Sequence, residues 1–133
     1  MRRTESKAVR VLICNRYALF REGIKALLPE TAGIEIVGEA RTGRQALGKV
    51  ERLHPDIVLM DAASPDCSAA KVTREMKRID PRVEVLILSL CADERLIAGC
   101  LAAGAAGFLR SDDRPGQLKS VIHALRERHG QAA

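Results

Sequence analysis

The chain has 133 residues, 47% of them apolar, and a formal net charge of +5 from 22 Lys and Arg against 17 Asp and Glu. That length suits one hydrophobic core and argues against two domains. No apolar run approaches a bilayer span, no signal-peptide apolar region follows the basic start "MRRTESK", and Tyr17, Phe20 and Phe108 are too few for a base-stacking platform. A cytoplasmic protein with no membrane segment is expected, and direct DNA or RNA binding by this chain is disfavoured.

The apolar pattern changes period repeatedly, as alternating strands and helices require. "VRVLIC" (9–14) reads as the first strand, and after Asn15 and Arg16 a helix places Leu19, Phe20, Ile24, Leu27 and Leu28 on one face. "IEIVGEA" (34–40) is the second strand, followed by a helix with Ala46, Leu47, Val50 and Leu53 inward. "DIVLMD" (56–61) is the third, with Val72, Met76 and Ile79 on the next helix. "VEVLILS" (83–89) is the fourth, with Leu96, Ile97, Cys100 and Leu101 after it. "GFLR" (107–110) closes the sheet, and Leu118, Val121, Ile122 and Leu125 mark the last helix. Strands one, three and four are nearly continuous in apolar residues, so helices must cover both of their faces. The expected fold is α/β: a flavodoxin-like (βα)5 doubly wound five-stranded parallel sheet, order 2-1-3-4-5, spanning 9–129. A basic N-terminal extension (1–8) precedes it and a frayed tail (130–133) follows.

In such sheets the working residues gather at the carboxyl ends of the strands, near the switch in strand order. Strand one delivers Asn15 and Arg16, strand three Asp61, strand four Ser89, and strand five Arg110 or Ser111. There is no G-x-G-x-x-G and no P-loop, which disfavours dinucleotide and nucleoside triphosphate sites. The four cysteines (Cys14, Cys67, Cys91, Cys100) form no C-x-x-C pair, so structural disulfides are not expected. Cys67 and Cys91 fall in loops after adjacent strands, which leaves a thiol-based redox sensor open as a minor alternative. The histidines suggest no metal ligand set: His54 sits at a strand entry opposite the site, and His123 and His129 on the last helix.

The segments "VRVLICNRYALFREGIKALL", "IEIVGEARTGRQAL", "HPDIVLMDAASP", "VEVLILS" and "GAAGFLR", in this order, resemble the receiver domain of two-component response regulators over essentially the whole chain. The branch that carries a LuxR-type output domain is the most similar. The resemblance implies phosphorelay signal transduction rather than an enzyme activity, with Asp61 at the phosphoacceptor position, Ser89 as the switch hydroxyl, Phe108 as the switch aromatic and Pro65 in the loop after Asp61. It also implies departures. The family's acidic, metal-holding pair falls on Asn15 and Arg16, and its lysine falls on Ser111.

Mg²⁺ prefers an octahedron of hard oxygens including carboxylates, so weak or absent Mg²⁺ binding is expected and no cofactor is assigned. Opposite charges about 4 Å apart attract by roughly 4 kcal/mol at an effective dielectric near 20, before desolvation. Arg16 is therefore expected to pair with Asp61 and stand in for the missing metal and lysine. Two readings follow: a phosphorylation-independent or weakly phosphorylated interaction module, and a working phosphoacceptor at Asp61. The resemblance implies a histidine kinase or other protein partner, with homodimer contacts through helices 4/5 or 1/5. The chain is either a stand-alone receiver or the receiver part of a longer DNA-binding regulator.

Overall fold

The computed structural model describes residues 8–28, 33–62, 68–89, 93–110 and 115–132. Five strands, β1 (Val9–Cys14), β2 (Ile34–Ala40), β3 (Ile57–Asp61), β4 (Glu84–Ser89) and β5 (Gly107–Arg110), alternate with five helices, α1 (Ala18–Leu27), α2 (Gly43–Leu53), α3 (Ala69–Ile79), α4 (Glu94–Ala102) and α5 (Pro115–Ala132). All pairings are parallel and the sheet order is β2-β1-β3-β4-β5. This is the expected flavodoxin-like arrangement. The last helix runs to Ala132, three residues past the boundary expected at 129.

Because successive strand residues face opposite ways, the apolar strands feed two cores. Leu12, Cys14, Val58, Met60, Val85 and Ile87 pack beneath α2, α3 and α4, through Ala46, Val50, Val72, Met76 and Cys100. Val11, Ile13, Ile57, Leu59, Leu86 and Leu88 pack beneath α1 and α5, through Ile24, Leu28, Leu118 and Ile122. The strand interiors are sealed: Val11, Val58, Val85 and Ile87 are all 0% exposed.

Helix ends are fixed by local chemistry. The Thr42 hydroxyl accepts from Gln45 N, the Ser68 hydroxyl from Lys71 N, and the Asp93 carboxylate from Arg95 N and Leu96 N, starting α2, α3 and α4. Gly104, at φ +115°, follows the α4 C-cap in a backbone conformation that only glycine adopts without strain. At β2 the register slips, Val11 facing Ile36 and Leu12 facing Gly38, so Val37 forms a bulge.

Two expected inward residues of α1 are not in the core: Leu19 is 86% exposed and Leu27 41%. Phe20, Ile24 and Leu28 recur every four residues and define the buried stripe, and at about 100° per residue Leu19 lies far around the helix from it. Leu101 on α4 is likewise 45% exposed, turned away from the Cys100 side.

Candidate functional site

Parallel register brings the expected residues to one edge. Cys14 faces Met60 across β1 and β3, so Asn15 follows level with Asp61. Asp61 faces Leu88 across β3 and β4, and Ala62 N donates to Leu88 O at 3.2 Å, which sets Ser89 one step beyond Asp61 on the neighbouring strand. Asp61 is half-buried and engaged in polar interactions, whereas Ser89 is 6% exposed. Phe108 faces Ile87 and packs, half-buried, against the core beneath α2–α4, and Arg110 faces Ser89. Pro65, Ser111, Cys67 and Cys91 lie outside the described residues.

The loop from β1 to α1 is built from its own side chains. Asn15 is 6% exposed. Its backbone N–H extends the sheet by donating to Ala40 O at 2.9 Å, and its Oδ1 accepts the Tyr17 N–H at 2.9 Å, an Asx turn that starts α1. Tyr17, the N-cap of α1, makes no side-chain cap. Arg16 does not take the place expected for it: no ion pair joins it to Asp61 among the described residues. Its exposed guanidinium instead lies over the Tyr17 ring, 5.0 Å from the centroid. A cation stacked on an exposed ring keeps most of its hydration, whereas pairing with half-buried Asp61 requires desolvating both charges.

A different arginine enters the loop. Arg21, whose side chain is 13% exposed, donates from Nη1 to the Asn15 carbonyl oxygen and from Nε to Glu39 Oε1, both at 2.7 Å. Lys25 Nζ meets Glu39 Oε2 at 2.7 Å and Lys49 Nζ donates to the Glu39 carbonyl oxygen at 2.5 Å. Hydrogen bonds from Lys25 and Arg21 hold the Glu39 carboxyl below the ordinary glutamate range, while Glu22 and Glu39 push the Lys25 ammonium up. Sequence reasoning missed this cluster because Arg21 and Glu39 are 18 positions apart and belong to different elements. Its one trace in the sequence is a glutamate next to the end of β2, a strand that also carries Glu35.

The described cysteines read as structural. Cys14 and Cys100 are buried, Cys14 Sγ lies 3.6 Å from Thr42 O, and burial pushes the Cys100 thiol up, away from the reactive thiolate. Among the described residues no group of three or more His, Cys, Asp or Glu could hold a metal, and no helix is long and apolar enough to cross a membrane.

Comparison with known proteins agrees with this architecture. The chain is 32% identical over 118 residues to the response regulator GacA of Pseudomonas viridiflava, covering 89% of this chain and 54% of that protein. It is 34% identical over 116 residues to the chemotaxis protein CheY of Thermotoga maritima, covering 87% of this chain and 93% of CheY. It also matches 32% of the length of a protein-glutamate methylesterase/protein-glutamine glutaminase from Alkalilimnicola ehrlichii, at 37% identity over 90% of this chain. Among solved structures, the signal receiver domain of NarL from Mycobacterium tuberculosis superimposes with a TM-score of 0.82 at 30% identity, covering 90% of this chain and 98% of that one. The chain thus spans about half the length of the GacA relatives it matches. The family model of the response regulator receiver domain matches residues 11–123, and the chain belongs to that family.

Proposed function

We propose that this chain is an atypical receiver, a signalling and interaction module whose working conformation is set without, or with only weak help from, phosphorylation at Asp61. The observation that carries this reading is the state of the strand-one edge beside Asp61. There the Oδ1 of Asn15 is engaged by the Tyr17 N–H, and the neighbouring side chain is the permanent cation of Arg16. An aspartate receiving a phosphoryl group needs positive charge held against the incoming oxygens, which in phosphoryl transfer is commonly a divalent metal.

The donor set here does not fit such an ion. Beside Asp61 stand a neutral amide whose oxygen already accepts a hydrogen bond and a guanidinium that repels a dication, where octahedral Mg²⁺ favours carboxylates. This argument does not need Arg16 to touch Asp61, because a fixed positive charge at the rim opposes metal binding whether it rests on Tyr17 or turns inward. The protein then acts in the cytoplasm through contacts with a histidine kinase or another protein partner, or through a homodimer formed by α4 and α5 or by α1 and α5. It serves alone or as the receiver part of a longer regulator, and direct DNA contact falls to an output domain.

The test is incubation with acetyl phosphate and Mg²⁺ followed by intact mass measurement, beside Asp61→Asn. The expected result is little or no added phosphoryl mass. Efficient labelling that disappears in Asp61→Asn would establish the second reading, a working phosphoacceptor, which the retained Asp61 and Ser89 at adjacent strand ends, with Phe108 on the next strand, favour. Beryllofluoride gives an independent check: a metal-dependent spectral change at Ser89 and Phe108 supports the phosphoacceptor, and its absence supports the atypical module. A thiol sensor would instead lose its response in a Cys67→Ser, Cys91→Ser variant and keep it in Asp61→Asn.

A further inference from the structure

The β1–α1 loop presents Asn15 to the site edge and is held within its own sequence by the Asn15 Oδ1–Tyr17 N–H turn. Tyr17 offers no side-chain cap to α1, and the Arg16 and Tyr17 side chains stack outside, where Tyr17 is 59% exposed. The loop is also tied from the first turn of α1 and from β2. Arg21 reaches back six residues to the Asn15 carbonyl while its Nε is held on Glu39, at 2.7 Å in each case. Glu39 is fixed in turn by Lys25 on α1 through its second carboxylate oxygen, and by Lys49 on α2 through its backbone carbonyl. Glu22 is the remaining charged group of the cluster, paired with Lys25. The planar fork of a guanidinium can donate to two acceptors at once in fixed directions, which a lysine ammonium at the end of a flexible stem does less well.

From this geometry we infer that Arg21 is a positioning residue of the receiver site: anchored on Glu39, it holds the Asn15 carbonyl and thereby the Asn15 Oδ1–Tyr17 N–H turn at the edge beside Asp61. The inference rests on the reading of this edge as the receiver site, and it adds a route by which β2 and α2 bear on that site. Lys25 shares Glu39 but, among the described residues, makes no side-chain hydrogen bond or ion pair to the loop, so the two cations on α1 have separable roles. Arg21 holds the loop directly, and Lys25 bears on it only through Glu39.

Amide hydrogen exchange of the full chain tests this, comparing Tyr17 with Leu59 and Leu86 in the sheet interior. Tyr17 is the only tyrosine and there is no tryptophan, so intrinsic fluorescence reports the same loop. Arg21→Ala should speed Tyr17 exchange about tenfold or more and shift its emission, while Leu59 and Leu86 exchange as before. Arg21→Lys should recover part of the protection, and Lys25→Met, which removes one hold on Glu39 but leaves the Arg21 bond to Asn15, should speed Tyr17 exchange less than Arg21→Ala. Unchanged Tyr17 exchange in Arg21→Ala overturns the proposal, as does a Lys25→Met effect equal to that of Arg21→Ala. Should Arg21→Ala loosen the whole fold, Glu39→Gln decides: selective loosening at Tyr17 supports the proposal and uniform loosening overturns it. The readout involves no phosphoryl chemistry, so efficient labelling of Asp61 would remove the phosphorylation-independent reading and leave this result standing.

Discussion

Replacing Thr73 by valine should stabilise this receiver, against the usual direction of core substitutions. Thr73 lies in the second turn of α3, 0% exposed, where that helix packs between α2 and α4. Its Oγ1 has no hydrogen-bond partner among the described residues, including the carbonyl of Ala69 one turn back that a helical threonine commonly uses. A buried hydroxyl left without a partner costs about 1–3 kcal/mol relative to water. Valine has nearly the same shape, keeps the buried methyl and the β-branch, and differs little from threonine in helix propensity, so packing and backbone terms largely cancel. The expected gain is about 1–2 kcal/mol, toward the lower half of that range because some strain in the new methyl contact offsets it. With a urea m-value of about 2 kcal/mol/M, typical of small proteins, the denaturation midpoint should rise by about 0.5–1 M. Thr73→Ala and Thr73→Ser separate the contributions: alanine loses the hydroxyl but opens a cavity, and serine keeps the hydroxyl and loses the methyl, so serine should be the least stable of the series. A valine midpoint at or below wild type would refute the reasoning, because it would mean that the hydroxyl is satisfied in solution.

At the β2 bulge, a Cβ on Gly38 would stand 3.0 Å from Leu53 Cδ1 and 3.3 Å from Leu12 Cδ1, and Leu12 is sealed in the core, so Gly38→Ala should cost about 1 kcal/mol and Gly38→Val about 2–3 by urea denaturation. Gly104→Ala should lower stability by about 1–2 kcal/mol, since φ +115° strains any L side chain and the new Cβ would press on Lys77 Cγ at 3.2 Å, disturbing the Lys77 Nζ bonds to the Pro81 and Val83 carbonyls. The Glu39 cluster also gives a pH dependence. Its folded-state carboxyl is lowered, so its contribution is present above the ordinary glutamate range and is lost as pH falls through the lowered value. Urea midpoints of wild type and Glu39→Gln should therefore differ most near neutrality and converge in acid; a constant difference across that range would count against the ion-pair account.

The architecture was legible in the sequence because burial on two faces writes itself as long apolar runs. β1, β2 and β5 occupy the expected residues, and β3 and β4 start one residue later, at Ile57 and Glu84. Just before β3, the Asp56 carboxylate accepts the Arg10 N–H. Helix faces were less legible. A leucine has the same hydropathy on either side of a helix, so Leu19 and Leu27 read as core until the angle of α1 to the sheet was known. The list of site positions was likewise available from the rule that chemistry collects at carboxyl strand ends, and the parallel register sets Asn15, Asp61 and Ser89 at one edge.

Which charge meets which was decided only by tertiary structure. The sequence offered Arg16, adjacent to Asn15, as the cation for the site, and coulombic attraction alone would pair it with the nearest carboxylate. Solvation opposes that pairing, and Arg16 rests on the exposed Tyr17 ring while Arg21, in the first turn of α1, bonds the Asn15 carbonyl and is anchored on Glu39. Hydrophobic pattern is a one-dimensional property and survives in the sequence. The partner of a charged side chain depends on distance, direction and water access among residues far apart in the chain, and these exist only once the strands and helices have packed.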